Sequence, residues 1–328
     1  SVEDQWQPGM NAIEVNHLTR KFKDFTAVDD ISFTIPQGEI FGLLGPNGAG
    51  KTTTIRVLCG IMLPTSGSVN VLGYDVKLHP NQVKSRIGYM SQKFSLYNDL
   101  TPVENIMFYC SIYGVPKHER VDRTRELIET SGLTDHQKTP TRSLSGAWRQ
   151  RLALDCAIVH RPKMLFLDEA TAGVDPFSRR QFWDLIYSLA GEGMSVLATT
   201  HYMDEAEYCN TIGMMYQGKM MALDSPEALK NDLPGELVQL DCSDPAEAVD
   251  KLSTLPGVLN ATIHGALVHL TLEEHDAEAG VKNGLTNTGI EIRNWETIQP
   301  SLEDVFLRMV SDRLSNEPAH NLFAQEGE

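Results

Sequence analysis

The sequence predicts an α/β chain with a mainly parallel sheet and an inserted helical subdomain, followed by a small α+β unit. Three observations predict it. Short, wholly apolar runs alternate with helical patterns through the first two thirds of the chain, as strands buried on both faces and their crossover helices do. A glycine-rich turn, GPNGAGKT at residues 45–52, joins one such run to a helix. After Pro234 and Gly235 the pattern becomes strand, helix, strand, strand, helix, strand, the order of a ferredoxin-like split βαβ unit.

The elements follow in order. Residues 1–11 read as an N-terminal extension. From Ala12, the alternation in AIEVNHL and then FTAVDDISFTI predicts two short strands, and Pro36-Gln37-Gly38 turns the chain into the apolar strand EIFGLLG. Past the glycine turn, TTIRVLCGIM puts Ile55, Leu58 and Met62 on one side of a helix. A helical subdomain is expected over about 95–160: Thr101 caps a helix with Pro102 at its first position, and RVDRTRELIETSGL is amphipathic and stops at Gly132. KMLFLDEA is a strand ending in two acids, FSRRQFWDLIYSLAGEG a helix and MSVLATTH a buried strand. This first domain spans 12–235. The second, 236–312, runs from ELVQLDC to the capped helix PSLEDVFLRMV, and 313–328 reads as a disordered tail.

With 328 residues, 41% of them hydrophobic, the chain can bury the cores of about two domains. Its net charge of -16 is uneven, since Glu236 to Glu328 carry 17 acidic and 5 basic residues. Such a surface repels phosphate backbones and anionic lipid heads, so no nucleic acid is expected as partner, and a membrane only through another protein. The five cysteines are scattered without a Cys-x-x-Cys spacing, which suits reduced thiols and a cytoplasmic protein. No run approaches the roughly 18 apolar residues of a membrane helix, and the N-terminus has no basic region before an apolar one.

The chemistry concentrates in two places. GPNGAGKT fits G-x-x-x-x-G-K-[ST] between a strand and a helix, the setting of a P-loop NTPase. Gly45, Gly48 and Gly50 let the loop's N–H groups point into one hollow. The expected nucleotide contacts are Gly45, Pro46, Asn47, Gly48, Ala49, Gly50, Lys51, Thr52 and Thr53, with Lys51 reaching the β- and γ-phosphates and Thr52 offering its hydroxyl to Mg²⁺. The strand MLFLDE ends in Asp168, suited to hold Mg²⁺, and Glu169, suited to polarise an attacking water. The cofactors expected are ATP and Mg²⁺.

These residues, with four further motifs in fixed order, make the chain resemble the nucleotide-binding subunit of ATP-binding cassette (ABC) transporters from about residue 12 to 230. YMSQKF supplies Gln92, LSGAWRQRL the signature, AGVD the residue Asp175, and TTHYMDEAE the histidine His201. The resemblance implies that Gln92 touches metal and water, that His201 bonds the γ-phosphate, and that Phe22 stacks on adenine, with Phe25 close by as the alternative. It also implies a head-to-tail ATP sandwich of two copies, in which Ser145, Gly146 and Ala147 meet the γ-phosphate held by the partner. Ala147 and Trp148 depart from the usual glycine and glutamine. An alanine amide still serves unless the position needs φ > 0, and a tryptophan is expected to pack on a neighbour. The second domain looks like the extension on ATPase subunits of type-2 exporters, which work through a separate transmembrane permease. Two other readings, a soluble cassette of translation or repair and a silent regulatory cassette, meet a single cassette without coiled-coil insertion and an intact Glu169 and His201.

Overall fold

The first two strands are longer than the sequence suggests, twelve residues each. The computed structural model describes residues 9–92 and 96–316 and divides the chain into two units, 1–225 and 226–328. In the first unit, β1 (Asn11–Phe22), β2 (Phe25–Pro36), β3 (Ile40–Leu44), α1 (Lys51–Leu58), β4 (Ser66–Val71), β5 (Tyr74–Asp75), α2 (Pro80–Arg86) and β6 (Ile87–Met90) lead into three helices. These are α3 (Pro102–Ile112), α4 (Arg120–Thr130) and α5 (Gly146–Ile158). The chain then returns through β7 (Met164–Asp168), α6 (Pro176–Gly191), β8 (Ser195–Thr200), α7 (Met203–Ala206), β9 (Thr211–Tyr216) and β10 (Lys219–Asp224).

Two sheets result. A six-stranded sheet in the order β10-β9-β3-β8-β7-β6 is parallel except for β10. Every residue of β3, β7 and β8 is buried, which explains their mainly apolar sequences, polar only at strand ends. The second sheet, β2-β1-β4-β5, is antiparallel. The sequence reading missed β4 and β5, where Gly67, Ser66 and Ser68 hide the alternation, and the β9–β10 hairpin. That hairpin turns at Gln217 (φ 48°) and Gly218 (φ 79°), a two-residue turn with both central φ angles positive. The three helices lie between β6 and β7, and the first carries the expected cap: Thr101 Oγ1 accepts from Glu104 N, and Glu104 answers through Thr101 N.

The second unit contains α8 (Pro226–Asn231), β11 (Glu236–Cys242), α9 (Pro245–Leu252), β12 (Val258–His264), β13 (Leu267–Leu272), α10 (Glu278–Thr286), β14 (Ile292–Thr297) and α11 (Leu302–Asn316). Its antiparallel sheet, β12-β13-β11-β14, has the strand order of the ferredoxin-like unit read from the sequence. Val238, Leu240, Leu252, Val268, Leu270, Val281 and Leu285 form its core.

Two boundaries differ from expectation. The second unit starts at Pro226 rather than Glu236, because α8 packs against α11. The closing helix runs to Asn316, so residues 313–316 are helical rather than part of a tail; the ion pair of Arg308 Nε with Asp312 Oδ2 at 3.0 Å supports the later turns. Residues 1–8 of the expected extension and 317–328 of the expected tail lie outside the described residues. Among the described residues, no helix is long and apolar enough to cross a membrane.

Candidate nucleotide-binding site

The loop between β3 and α1 is shaped by glycines that nothing else can replace. Gly45 has φ 158°, close to extended backbone, yet a Cβ there would lie 2.2 Å from Met215 O. Gly50 combines φ 103° with a Cβ position 2.5 Å from Ala27 O, so both strain and clash exclude a side chain. The loop therefore packs closely against β2 and β9 and opens α1 directly at Lys51. Lys51 Nζ donates to Gly45 O at 2.7 Å and Pro46 O at 3.1 Å, and stands 3.4 Å from Glu169 Oε1. Burial pushes the Lys51 pKa down, while the carboxylates of Glu169 and Asp168 pull it up.

Parallel pairing of β7 with β8 brings the acids to this loop. Asp168, the last residue of β7, accepts from Thr52 Oγ1 at 3.0 Å and from Thr199 Oγ1 at 2.9 Å, both on Oδ1, and from Tyr89 OH at 3.4 Å on Oδ2. Burial and then the Asp168 charge push the Tyr89 pKa up to about 12, which keeps the phenol protonated and donating. Glu169 sits in the left-handed region at φ 49°, a conformation costing about 1–3 kcal/mol. The neighbouring strand holds it there, since Glu169 N donates to Thr199 O at 3.2 Å and Thr199 Oγ1 at 3.0 Å. The bend aims its carboxylate back at the loop: Gln92 Nε2 donates to Glu169 Oε2 at 3.3 Å, and His201 Nδ1 lies 3.6 Å from the same oxygen. Among the described residues, His201 Nδ1 is buried without a hydrogen-bond partner.

Most of the expected residues thus converge. A cavity of about 570 Å³ is lined by Asn47, Gly48, Ala49, Gly50, Lys51, Thr52, Thr53, Gln92, Asp168 and Glu169, a volume in the range of nucleotide-sized ligands. Phe25 lines it and Phe22 does not. The two residues face each other at the end of the β1–β2 pairing, and Phe22 lies under the Arg20 guanidinium at 4.6 Å. Tyr89, Ser91 and Arg56 also line the cavity. Sequence reasoning missed Tyr89 and Thr199; the only available signal was their place on buried strands that end beside the loop.

Ser145, Gly146, Ala147 and Asp175 do not line this cavity. Ser145 is exposed and caps α5, its Oγ accepting from Trp148 N at 3.4 Å. Ala147 lies in the first turn with no positive φ, so the alanine carries no strain and its N–H belongs to the unpaired amides of a helix start. Trp148 packs on the His136 ring at 4.8 Å, with the Arg151 guanidinium 4.9 Å from its own ring. Arg151 in turn donates to Ser131 O at 2.9 Å and Gln181 Oε1 at 2.6 Å. Trp148→Ala is expected to lower stability by about 1–3 kcal/mol through lost burial and cation–π contact, with ATP affinity changed less than about threefold. Urea unfolding and nucleotide titration check the two halves separately. Asp175 caps α6, accepting from Ser178 N at 3.0 Å, and this hydrogen bond holds its carboxyl below the usual range. Gln150, buried on α5, donates to Ala170 O at 2.9 Å and ties the signature helix to the segment after β7.

A strand-loop-helix phosphate cradle facing an Asp-Glu strand end and a histidine defines a nucleotide-binding cassette. The comparisons agree. Residues 28–172 match the ABC transporter family model, and residues 225–310 match the C-terminal domain of DrrA1-3-like ATP-binding proteins. The probable multidrug ABC transporter ATP-binding protein YbhF of Escherichia coli K12 is 47% identical over 223 residues, 68% of this chain but 39% of YbhF. The linearmycin resistance ATP-binding protein LnrL of Bacillus subtilis is 34% identical over 92% of this chain and 99% of its own length. Among solved structures, CbiO1 from Clostridium perfringens, part of the ABC transporter complex cbiONQ, superposes with a TM-score of 0.64 at 25% identity, covering 68% of this chain and 91% of that one. The chain belongs to the ABC transporter family.

Proposed function

We propose that the chain is an ATP-hydrolysing subunit that powers export through a separate transmembrane permease, held by that permease at the cytoplasmic face of a membrane. The observation that carries this reading is the convergence of Lys51, Thr52, Asp168, Glu169 and Gln92 on one cavity, with His201 beside Glu169. The likeness to LnrL along nearly its full length and the DrrA-like second domain support the exporter class.

Each residue has a role that its surroundings support. The loop amides and Lys51 bind the β- and γ-phosphates, and Phe25 offers a ring to the base. Thr52 and Asp168, 3.0 Å apart, would hold Mg²⁺ with Gln92, and the ion supplies charge neutralisation on the phosphates when bound. Glu169 takes a proton from the attacking water, and His201 donates to the γ-phosphate. Two copies associate head to tail: the exposed N-terminus of α5, with Ser145, Gly146 and Ala147, meets the γ-phosphate bound by the other copy, and Asp175 lies at the same interface. In this arrangement ATP joins the copies and hydrolysis parts them, and the helical subdomain and the Gln92 loop pass that motion to the permease.

The test is MgATP hydrolysis by the purified chain, run beside size-exclusion chromatography with and without ATP. Turnover together with an ATP-dependent dimer is expected. A chain that binds ATP but stays monomeric and inert, even with its permease in detergent, sinks the proposal.

A further inference from the structure

The second unit holds a cluster of titratable side chains that nucleotide chemistry does not use. His264 ends β12, His269 lies on β13 and Asp304 is in the first turn of α11; one potential ligand atom from each lies within 4.8 Å of the others. His269 and Asp304 are buried, and their Nδ1 and Oδ1 atoms stand 2.6 Å apart. The His264 ring stacks on that of His269 with centroids 4.2 Å apart and planes 1° from parallel. Glu303 Oε2 approaches His264 Nδ1 at 3.9 Å, and Gln239 Oε1 stands 3.4 Å from His269 Nε2.

This is an unusual place for such groups. Along β13, Val268, Leu270 and Leu272 face the core shared with α9 and α10. His269 therefore points to the opposite face, where α11 lies and an apolar residue would pack without the cost of desolvating an ionisable pair. Asp304 is already committed as an acceptor, since its Oδ2 takes Ser301 N at 2.9 Å and Ser301 Oγ at 2.6 Å. These bonds fix Oδ1 toward His269. Burial would raise the Asp304 pKa, but the Ser301 and His269 hydrogen bonds outweigh it and hold the carboxyl below its usual range.

We propose that His264, His269 and Asp304 bind a divalent first-row transition metal of the zinc class. Two imidazoles and a carboxylate are a three-ligand set of the kind that leaves a fourth position to water. The ion takes the place of the proton between His269 Nδ1 and Asp304 Oδ1, so binding releases a proton and weakens in acid. A metal needs lone pairs in the ring planes, so His264 turns out of the stack to bind. Its side chain is 38% exposed, which leaves it free to do so and opens the fourth position to solvent. Glu303 and the acidic excess of this region favour a cation further. Bound metal would clasp the start of α11 to the β12–β13 hairpin.

The experiment uses the full chain, stripped with EDTA and dialysed against Zn²⁺, with metal content and affinity measured on wild type, His264→Ala and a double Asp168→Asn, Glu169→Gln variant. About one Zn²⁺ per chain is expected in wild type and in the double variant. His264→Ala should bind at least about 100-fold more weakly, since even partners outside the ligand set cost about 10–100-fold. His264 is half-exposed, so its removal leaves the fold intact, which far-UV circular dichroism checks. A wild type that retains no zinc, or a His264→Ala chain that binds it as tightly as wild type, overturns the proposal. Zinc lost in the double variant but kept in His264→Ala would place the ion at the nucleotide cavity and overturn it equally.

Discussion

Glu169→Gln is expected to lower MgATP turnover by about 10²–10⁴-fold, the usual worth of a positioned general base, or about 3–5 kcal/mol of barrier. ATP affinity should survive. The amide keeps the shape of the side chain, and its oxygen still accepts from Gln92, now 3.3 Å from the carboxylate. The left-handed backbone at φ 49° is held by Thr199 through the Glu169 N–H and needs no particular side chain. What disappears is the basic oxygen beside His201 and Lys51. The variant should therefore accumulate with ATP bound, and a size-exclusion column run in ATP should show more dimer than wild type shows. Turnover within threefold of wild type would remove Glu169 from the role of base and point to an oxygen of the substrate itself.

How much of this was legible in the sequence depends on the range of the interaction that decides each feature. The phosphate loop could be read because its glycine spacing is a recognisable local pattern, although the steric demand it answers, close approach to Met215 O and Ala27 O, is long-range. The buried strands β3, β7 and β8 could be read because burial on both faces leaves mostly apolar runs, with polar residues only at their ends. The short strands β4 and β5 could not, because β4 pairs with β1 across a long stretch of sequence, β5 is two residues long and pairs only with β4, and neither carries much apolar alternation. Phe22 and Phe25 have the same chemistry three residues apart, so the sequence cannot separate them; in the fold they face each other across the end of β1–β2, and Phe25 is the one that lines the cavity. The Ala147 question was resolved by a backbone angle, and that of Trp148 by a partner, His136, brought near by the turn between α4 and α5. Thr199 escaped notice because its work, orienting Asp168 and bending Glu169, exists only once β7 and β8 pair.

Lys51→Met should weaken ATP binding by about 100-fold or more and lower hydrolysis by about 10²–10³-fold, the scale of losing one charged donor at a developing anion. Methionine fills the channel that the lysine stem occupies, so the loss isolates the charge from the packing. Without Lys51 the carboxylate of Glu169 loses its ion-pair partner at 3.4 Å, and Glu169 then faces the phosphates without the lysine ammonium beside it. At about 4 Å and an effective dielectric of 20, one such unit-charge contact is worth about 4 kcal/mol before desolvation is counted, so electrostatics decides the outcome over shape. Lys51→Arg separates charge from fit: it keeps the cation, but its planar fork must enter a space where the ammonium sits 2.7 Å from Gly45 O, and intermediate affinity is expected. Calorimetric titration with ATP, with and without Mg²⁺, checks all three chains. Equal affinity in Lys51→Met and wild type would mean that the loop amides alone hold the phosphates, and that Lys51 serves instead to neutralise Glu169 in the nucleotide-free chain.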